Sequence, residues 1–118
     1  VNERVNERVQ KFDKDWNFIL TWGSKGSGDS QFCHMEHIAL DKHDNVYVTD
    51  PQSDPGCSQN PVVKKFDNNG TFITKWGSYG KLDGQFRDPE HLAVDMEGNV
   101  YVSDRKNDII QKFAPVEP

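Results

Sequence analysis

Two Glu-His pairs are the residues of this sequence best suited to hold a metal ion. Glu36-His37 and Glu90-His91 lie 54 positions apart, inside two similar stretches, EHIALDKHDNVYVTD and EHLAVDMEGNVYVSD. Imidazole nitrogen is a common ligand of Zn²⁺, whereas carboxylate oxygen suits the harder Ca²⁺. If the fold brings the two pairs together, they form a candidate site for Zn²⁺ or Ca²⁺. The alternative is a polar funnel that holds only water.

The two pairs belong to an internal repeat. Residues 9–50 align with residues 63–104 without a gap and share 22 of 42 positions. A third copy begins at IIQKF (109–113), only 47 positions after the equivalent VVKKF (62–66). The first copy therefore carries an insertion, which we place at residues 51–61. Regular repetition at such a period is typical of proteins built from stacked units.

Each copy contains four short segments with strand character. In the second copy these segments are VVKKF (62–66), TFITKW (71–76), HLAVD (91–95) and NVYVSD (99–104). Asn69-Gly70 separates the first two, and this dipeptide is typical of hairpin turns that need positive φ. No segment has a helical period. An all-β fold with four antiparallel strands in each repeat is the pattern of a β-propeller blade.

The stretch PEHLAVDMEGNVYVSDRKNDIIQKF, followed by FD-x-x-G-x-F-I-x-x-W-G, resembles the NHL repeat over residues 6–113. The resemblance implies blades with strands in the order inner, second, third, outer, in a propeller that usually has six blades. It divides the chain into third and outer strands of a first blade (6–32), a complete blade (33–86) and the inner to third strands of the next blade (87–113). VNER occurs twice, at residues 1–4 and 5–8, and we expect residues 1–5 to be a tail or an artefact and residues 114–118 to be a second tail.

About two and a quarter blades cannot close a ring, because closed propellers need roughly four to eight. Two explanations are open. Either the chain is part of a longer propeller, or several copies associate head to tail through their blades and unpaired strand edges. Such copies would form a ring or a filament, and three of them would supply six blades.

Cys33 and Cys57 fall in two loops that a blade of this kind places at the same end. A disulfide and two free thiols are both compatible with that placement. The peptidyl-hydroxyglycine lyase family, a propeller family that this chain distantly resembles, pairs a Phe-Cys before an inner strand with a Cys in the following loop, and so implies the disulfide. Closing this loop stabilises a fold by about 3 kcal/mol. A disulfide also implies an extracellular, secreted or periplasmic location.

The lyase family also places a zinc-binding His one position after the proline that precedes the inner strand. In this sequence Glu36 and Glu90 hold those positions, and each His comes one step later. Gly56 stands where the family has a Tyr, and only Arg105 matches a functional residue of the family. These departures favour a non-enzymatic binding or structural module. The alternative is a metal-dependent lyase-like or hydrolytic enzyme with its site on the axial face.

Three further side chains are candidates to contact a ligand or partner: Trp16, His34 and Arg105. Trp16 stands at the turn position that Gly70 holds in the second copy, where positive φ disfavours a bulky residue. Either Trp16 is an exposed contact for a partner chain, or the turn differs and Asn17 takes the unusual conformation. Asn69-Gly70-Thr71 fits the N-glycosylation triplet, which is meaningful only in a secreted protein.

Composition argues against two classes of partner. The formal net charge is -5 and no basic run occurs, whereas nucleic-acid binding depends on clustered Lys and Arg. No apolar stretch approaches the roughly 18 residues of a membrane span, and no leader is recognisable. We therefore expect the partners to be other copies of the chain or the rest of a longer propeller.

Overall fold

The computed structural model describes residues 1–3 and 7–115, which form ten β-strands and no α-helix. The strands are β1 (Asn2–Glu3), β2 (Arg8–Phe12), β3 (Phe18–Trp22), β4 (His37–Leu40), β5 (Val46–Asp50), β6 (Val62–Phe66), β7 (Phe72–Trp76), β8 (Pro89–Val94), β9 (Val100–Asp104) and β10 (Ile109–Phe113). The described part of the chain contains no helix with the length and apolar character needed to cross a lipid bilayer.

The strands form three antiparallel sheets, which we name in chain order. The first sheet is β1-β2-β3, the second is β4-β5-β6-β7, and the third is β8-β9-β10. The second sheet is a complete four-stranded blade, and the order inner, second, third, outer is the expected one. The prediction of an all-β fold built from propeller blades is confirmed.

The first sheet contains a strand that the sequence interpretation missed. Asn2, in the segment expected to be a tail, pairs with Val9 of β2, just as Ser103 pairs with Ile110 in the third sheet. In this register VNERVNERVQKF matches VSDRKNDIIQKF, with six identities in twelve positions. The first VNER therefore corresponds in sequence to the end of the second strand of a blade, which is β9 in the third sheet. Residues 4–6 and 116–118, which include the rest of the expected tails, lie outside the described residues.

Two hydrophobic cores lie between neighbouring sheets, and equivalent residues build both. The core between the first and second sheets contains Val9, Phe32, Met35, Val46, Val48 and Phe66. The core between the second and third sheets contains Tyr47, Val63, Phe86, Leu92, Val100 and Val102. Each core also receives a tryptophan, Trp22 or Trp76, whose ring lies 5.7 or 5.5 Å from a phenylalanine of the following sheet. Both sides of the second sheet are covered in this way, so β5 and β6 are buried throughout.

Lys64 is a fully buried cation in the middle of this packing. Its Nζ donates hydrogen bonds to the carbonyls of Gly28, at 2.8 Å, and Gln31, and lies 3.9 Å from the Asp50 carboxylate. Burial raises the pKa of Asp50 to about 6, although Lys64 and two backbone N–H groups act in the opposite direction. In the third sheet, Gln111 stands at the position equivalent to Lys64 and also binds the backbone of the preceding loop. Its side-chain amide donates a hydrogen bond to one loop carbonyl and accepts one from a loop N–H, both at 2.8 Å.

We expect Lys64→Met to lower the free energy of unfolding by about 3 kcal/mol, because it leaves the Asp50 carboxylate and two loop carbonyls buried without a cation. Lys64→Gln is the matched control, since glutamine stands at the equivalent positions 10 and 111. It should cost less than about 1 kcal/mol. Chemical denaturation at pH 7 measures both. Equal losses for the two variants would show that the buried cation has no particular role.

Candidate functional site

Most of the candidate side chains gather at one end of the three sheets. The inner strands β4 and β8 begin at this end, β5 and β9 finish there, and the 51–61 loop joins β5 to β6 there. We call this surface the polar end. Its side chains are His34, Glu36, His37, Asp54, Asp88, Glu90, His91 and Arg105.

A disulfide between Cys33 and Cys57 fastens the 51–61 loop to the chain that leads into β4. Their Cα atoms lie 6.4 Å apart, and Cys33 is completely buried. Of the two alternatives left open by the sequence, the disulfide is the one present. The Cys33 N–H donates to Asp50 at 2.9 Å, so the covalent link and the end of β5 hold the same backbone position.

His34 lies between two carboxylates. Its Nε2 is 2.8 Å from Glu36 and its Nδ1 is 3.0 Å from Asp54 of the inserted loop. This hydrogen bond from His34 is the main cause that lowers the pKa of Asp54. The backbone of His34 has φ +92°, and its N–H donates to the buried carboxylate of Glu7 at 2.8 Å. The imidazole is therefore fixed where it joins the inserted loop to the start of the inner strand.

Arg105 of the third sheet, like His34 of the second, lies beside two carboxylates. Its guanidinium lies 3.1 Å from Asp88 and 3.6 Å from Glu90. Burial raises the pKa of Glu90, and the neighbouring charges of Asp88 and Glu36 add to the effect. Glu36 and Glu90 are thus each accompanied by one basic side chain, an imidazole in the second sheet and a guanidinium in the third.

His37 and His91 meet where the two inner strands lie side by side. Their ring centroids are 4.6 Å apart. Burial lowers the pKa of His37, and the neighbouring His91 lowers it further. Among the described residues, the buried Nδ1 of His37 has no hydrogen-bond partner. A positive charge on His91 therefore disfavours the protonated form of His37.

The four predicted metal ligands do not converge on one point. Glu36 is engaged by His34, Glu90 lies beside Arg105, and the two remaining histidines contact each other. Within residues 1–3 and 7–115, no group of three or more His, Cys, Asp or Glu side chains is arranged to hold a metal ion. The arrangement in a single chain does not fit a Zn²⁺ or Ca²⁺ site. A metal site formed by several assembled blades stays a prediction.

Trp16 and Asn69 lie at the opposite end of the sheets, in the turns after β2 and β6. Trp16 itself takes the positive φ, +67°, so the alternative in which Asn17 adopts the unusual conformation does not apply. Its side chain is 78% exposed. Asn69 is exposed in the equivalent turn.

Two outward surfaces carry apolar side chains, of which the sequence analysis singled out only Trp16. The outward side of the third sheet, which we call the third-sheet side, presents Ala93, Tyr101 and Ile110. The outward side of the first sheet, the first-sheet side, presents Phe12, Trp16 and Phe18. Ile110 is 73% exposed, whereas its equivalents Val9 and Val63 are 2% and 0% exposed. The repeat alignment could have revealed the exposed third-sheet side, because it places Ile110 at the position that Val9 and Val63 hold in the hydrophobic cores.

Comparisons with known proteins agree with the fold. Residues 82–111 match the family described as strictosidine synthase-like, N-terminal, which is a propeller family. The chain is 35% identical over 94 residues to a peptidyl-glycine alpha-amidating monooxygenase A of Xenopus laevis, a match that covers 75% of the chain and 9% of that protein. It is 24% identical over 110 residues to the human E3 ubiquitin-protein ligase TRIM32, covering 93% of the chain and 17% of the ligase.

A third relative, the protein wech of Drosophila melanogaster, is 38% identical over 64 residues, which are 54% of the chain and 7% of that protein. All three relatives carry NHL repeats. The chain spans less than a fifth of the length of each of them.

We expect His91→Gln to raise the pKa of His37, because it removes a neighbouring charge while the desolvation of His37 remains. Because the pKa of His37 is lowered on folding, stability falls as the pH drops below about 6.5. The variant should lose less stability between pH 7 and pH 5 than the wild type. Asp50, whose pKa is raised, has the opposite dependence, but it is common to both proteins.

NMR titration of the His37 ring protons measures the shift directly. His43→Gln is the matched control, because His43 is exposed in a turn at the opposite end. An unchanged His37 pKa in the His91 variant would mean that the two rings do not interact electrostatically.

Proposed function

Because the chain is built of NHL-type β-propeller blades, we propose that it is a non-enzymatic protein-interaction module completed by further blades on its two outward sides. Those blades come from other copies of the chain, by head-to-tail association, or from the rest of a longer propeller. The polar end is the surface offered to a protein partner.

The observation that carries this proposal is the contrast between equivalent positions on covered and uncovered sheets. Val9 and Val63 are buried against the next sheet, whereas Ile110 is largely exposed at the same position of the third sheet. Phe18 is 57% exposed on the first-sheet side, whereas its equivalent Phe72 packs against the core between the first and second sheets. Burying a side chain of this size stabilises by about 2 kcal/mol. Both outward sides therefore gain stability from a covering sheet.

The polar end has the properties of a recognition surface. It combines carboxylates with Arg105 and His34, and its inserted loop is held by a disulfide and by an ion pair of 3.2 Å between Lys25 and Asp54. A loop held in place loses little conformational entropy when a partner binds. The disulfide also supports an extracytoplasmic location, since such bonds persist in oxidising compartments.

The enzymatic alternative is not proposed. The lyase-like reading needs histidines that converge on a metal, and here His37 and His91 contact each other while the glutamates are engaged by basic side chains. A fold does not by itself determine function, so the propeller fold does not favour catalysis.

We expect Ile110→Lys to weaken self-association by at least about 30-fold in its dissociation constant, because the lost burial is worth about 2 kcal/mol and a charge is introduced. Ile109→Lys is the matched control, since the equivalent residue of the first sheet is Arg8. Light scattering over a range of protein concentrations measures the mass of all three proteins. A wild-type chain that stays at 13.5 kDa throughout would contradict the self-association and leave the longer propeller as the source of the blades.

A further inference from the structure

The turn that contains Trp16 has the same backbone geometry as the turn that contains Gly70. In the first, Asp13 Oδ1 accepts the N–H groups of Asp15 and Asn17 at 2.8 and 2.9 Å. In the second, Asp67 Oδ1 accepts two N–H groups at the same distances. The φ angles of Trp16 and Gly70 are +67° and +82°. The two turns therefore place residues 16 and 70 identically in their sheets.

Gly70 is needed because a neighbouring tryptophan lies on its backbone. A Cβ atom at Gly70 would be 2.7 Å from Cδ2 and Cε3 of Trp22, which comes from the preceding sheet. Real Cβ atoms do not approach a ring this closely, so one of the two groups must move. The joint between the first and second sheets thus requires glycine where the tryptophan of the preceding sheet packs.

Trp16 places a Cβ atom and an indole at that same position of the first sheet. Its ring lies 6.4 Å from Phe12 at an interplanar angle of 54°. The tryptophans of the two intact joints lie 5.7 and 5.5 Å from their phenylalanines, at 53° and 55°. Trp16 therefore covers the phenylalanine of its own sheet as a neighbour's tryptophan would, and obstructs the approach of that neighbour.

Two copies could join by strand exchange or by stacking, and the two arrangements place different groups against Trp16. In strand exchange, β2 and β3 of one copy replace β10 of another, which the similar sequences RVQKF and IIQKF, identical at three of five positions, permit. The composite sheet would fill the groove of about 850 Å³ beside β2. It would also bring Trp76 of one copy onto Phe12 of the other, against Trp16. In stacking, the third sheet of one copy covers the first sheet of the next. The described strands of the third sheet, β8, β9 and β10, contain no tryptophan that would meet Phe12.

We propose that Trp16 determines how copies of this chain join: it excludes the strand-exchanged blade and leaves stacking of the third sheet on the first. The inference rests on the proposed function, because it concerns the covering of the first-sheet side. Stacking uses three sheets of each copy, so two copies supply six sheets. Strand exchange uses two blades of each copy, so three copies supply six.

The test is Trp16→Gly, which installs the residue of the second repeat and relieves the positive φ. Trp16→Phe is the matched control, because it keeps the Cβ atom and an aromatic ring. Light scattering over a range of concentrations should show a species of about three times 13.5 kDa for the glycine variant, and no such species for the wild type or the phenylalanine variant.

Adding Ile110→Lys separates the two modes, and with them this inference from the proposed function. Strand exchange displaces β10, so the lysine should leave the trimer of the glycine variant intact, whereas it should dissociate a stacked dimer. A wild-type chain that stays monomeric would contradict self-association by stacking, whereas a trimer of the glycine variant would still support the exclusion of strand exchange by Trp16. A glycine variant with the same mass distribution as the wild type, or a wild-type trimer that tolerates Ile110→Lys, would overturn the inference.

Discussion

Side-to-side burial between sheets is the interaction on which this structure depends. Within a sheet, hydrogen bonds hold the strands together, but the apolar side chains project from its two sides and need a neighbour. The second sheet has neighbours on both sides, and there even Lys64 and Asp50 are buried together. The first and third sheets have one neighbour each, which leaves Phe18 and Ile110 exposed. The association that we propose, and the role that we propose for Trp16 in it, both rest on this constraint.

The polar end shows how one repeat supports different local chemistry. Glu36 and Glu90 are equivalent, yet His34 accompanies the first and Arg105 the second. These two basic groups do not occupy equivalent positions in the repeat, since His34 precedes an inner strand and Arg105 follows a second strand. The second sheet adds a disulfide-fastened loop that the third lacks. Variation of loops over a constant set of strands is the usual way in which propeller-like scaffolds acquire specific surfaces.

The fold was predictable because the strand sequences recur in the two aligned copies of the repeat, and hairpin sequences such as Asn69-Gly70 mark the turns between the strands. The short β1 was missed because a doubled VNER looks like an artefact until its register with residues 102–105 is compared. The contact of His34 with Asp54 could not be predicted, since Asp54 lies in an insertion without a repeat counterpart. The metal prediction treated Glu36, His37, Glu90 and His91 as one set. In the structure, each glutamate lies beside a basic side chain, and the two histidines contact each other.

Hydrogen exchange of the free chain tests the central claim most directly, through the comparison of β5 with β9. Both are second strands with a hydrogen-bonded neighbour on each edge, but only β5 has a sheet covering both of its sides. The account predicts that amide hydrogens of β5 exchange at least about tenfold more slowly than those of β9. Equal protection of the two strands in a chain of 13.5 kDa would contradict it, because the uncovered side would then have no energetic consequence.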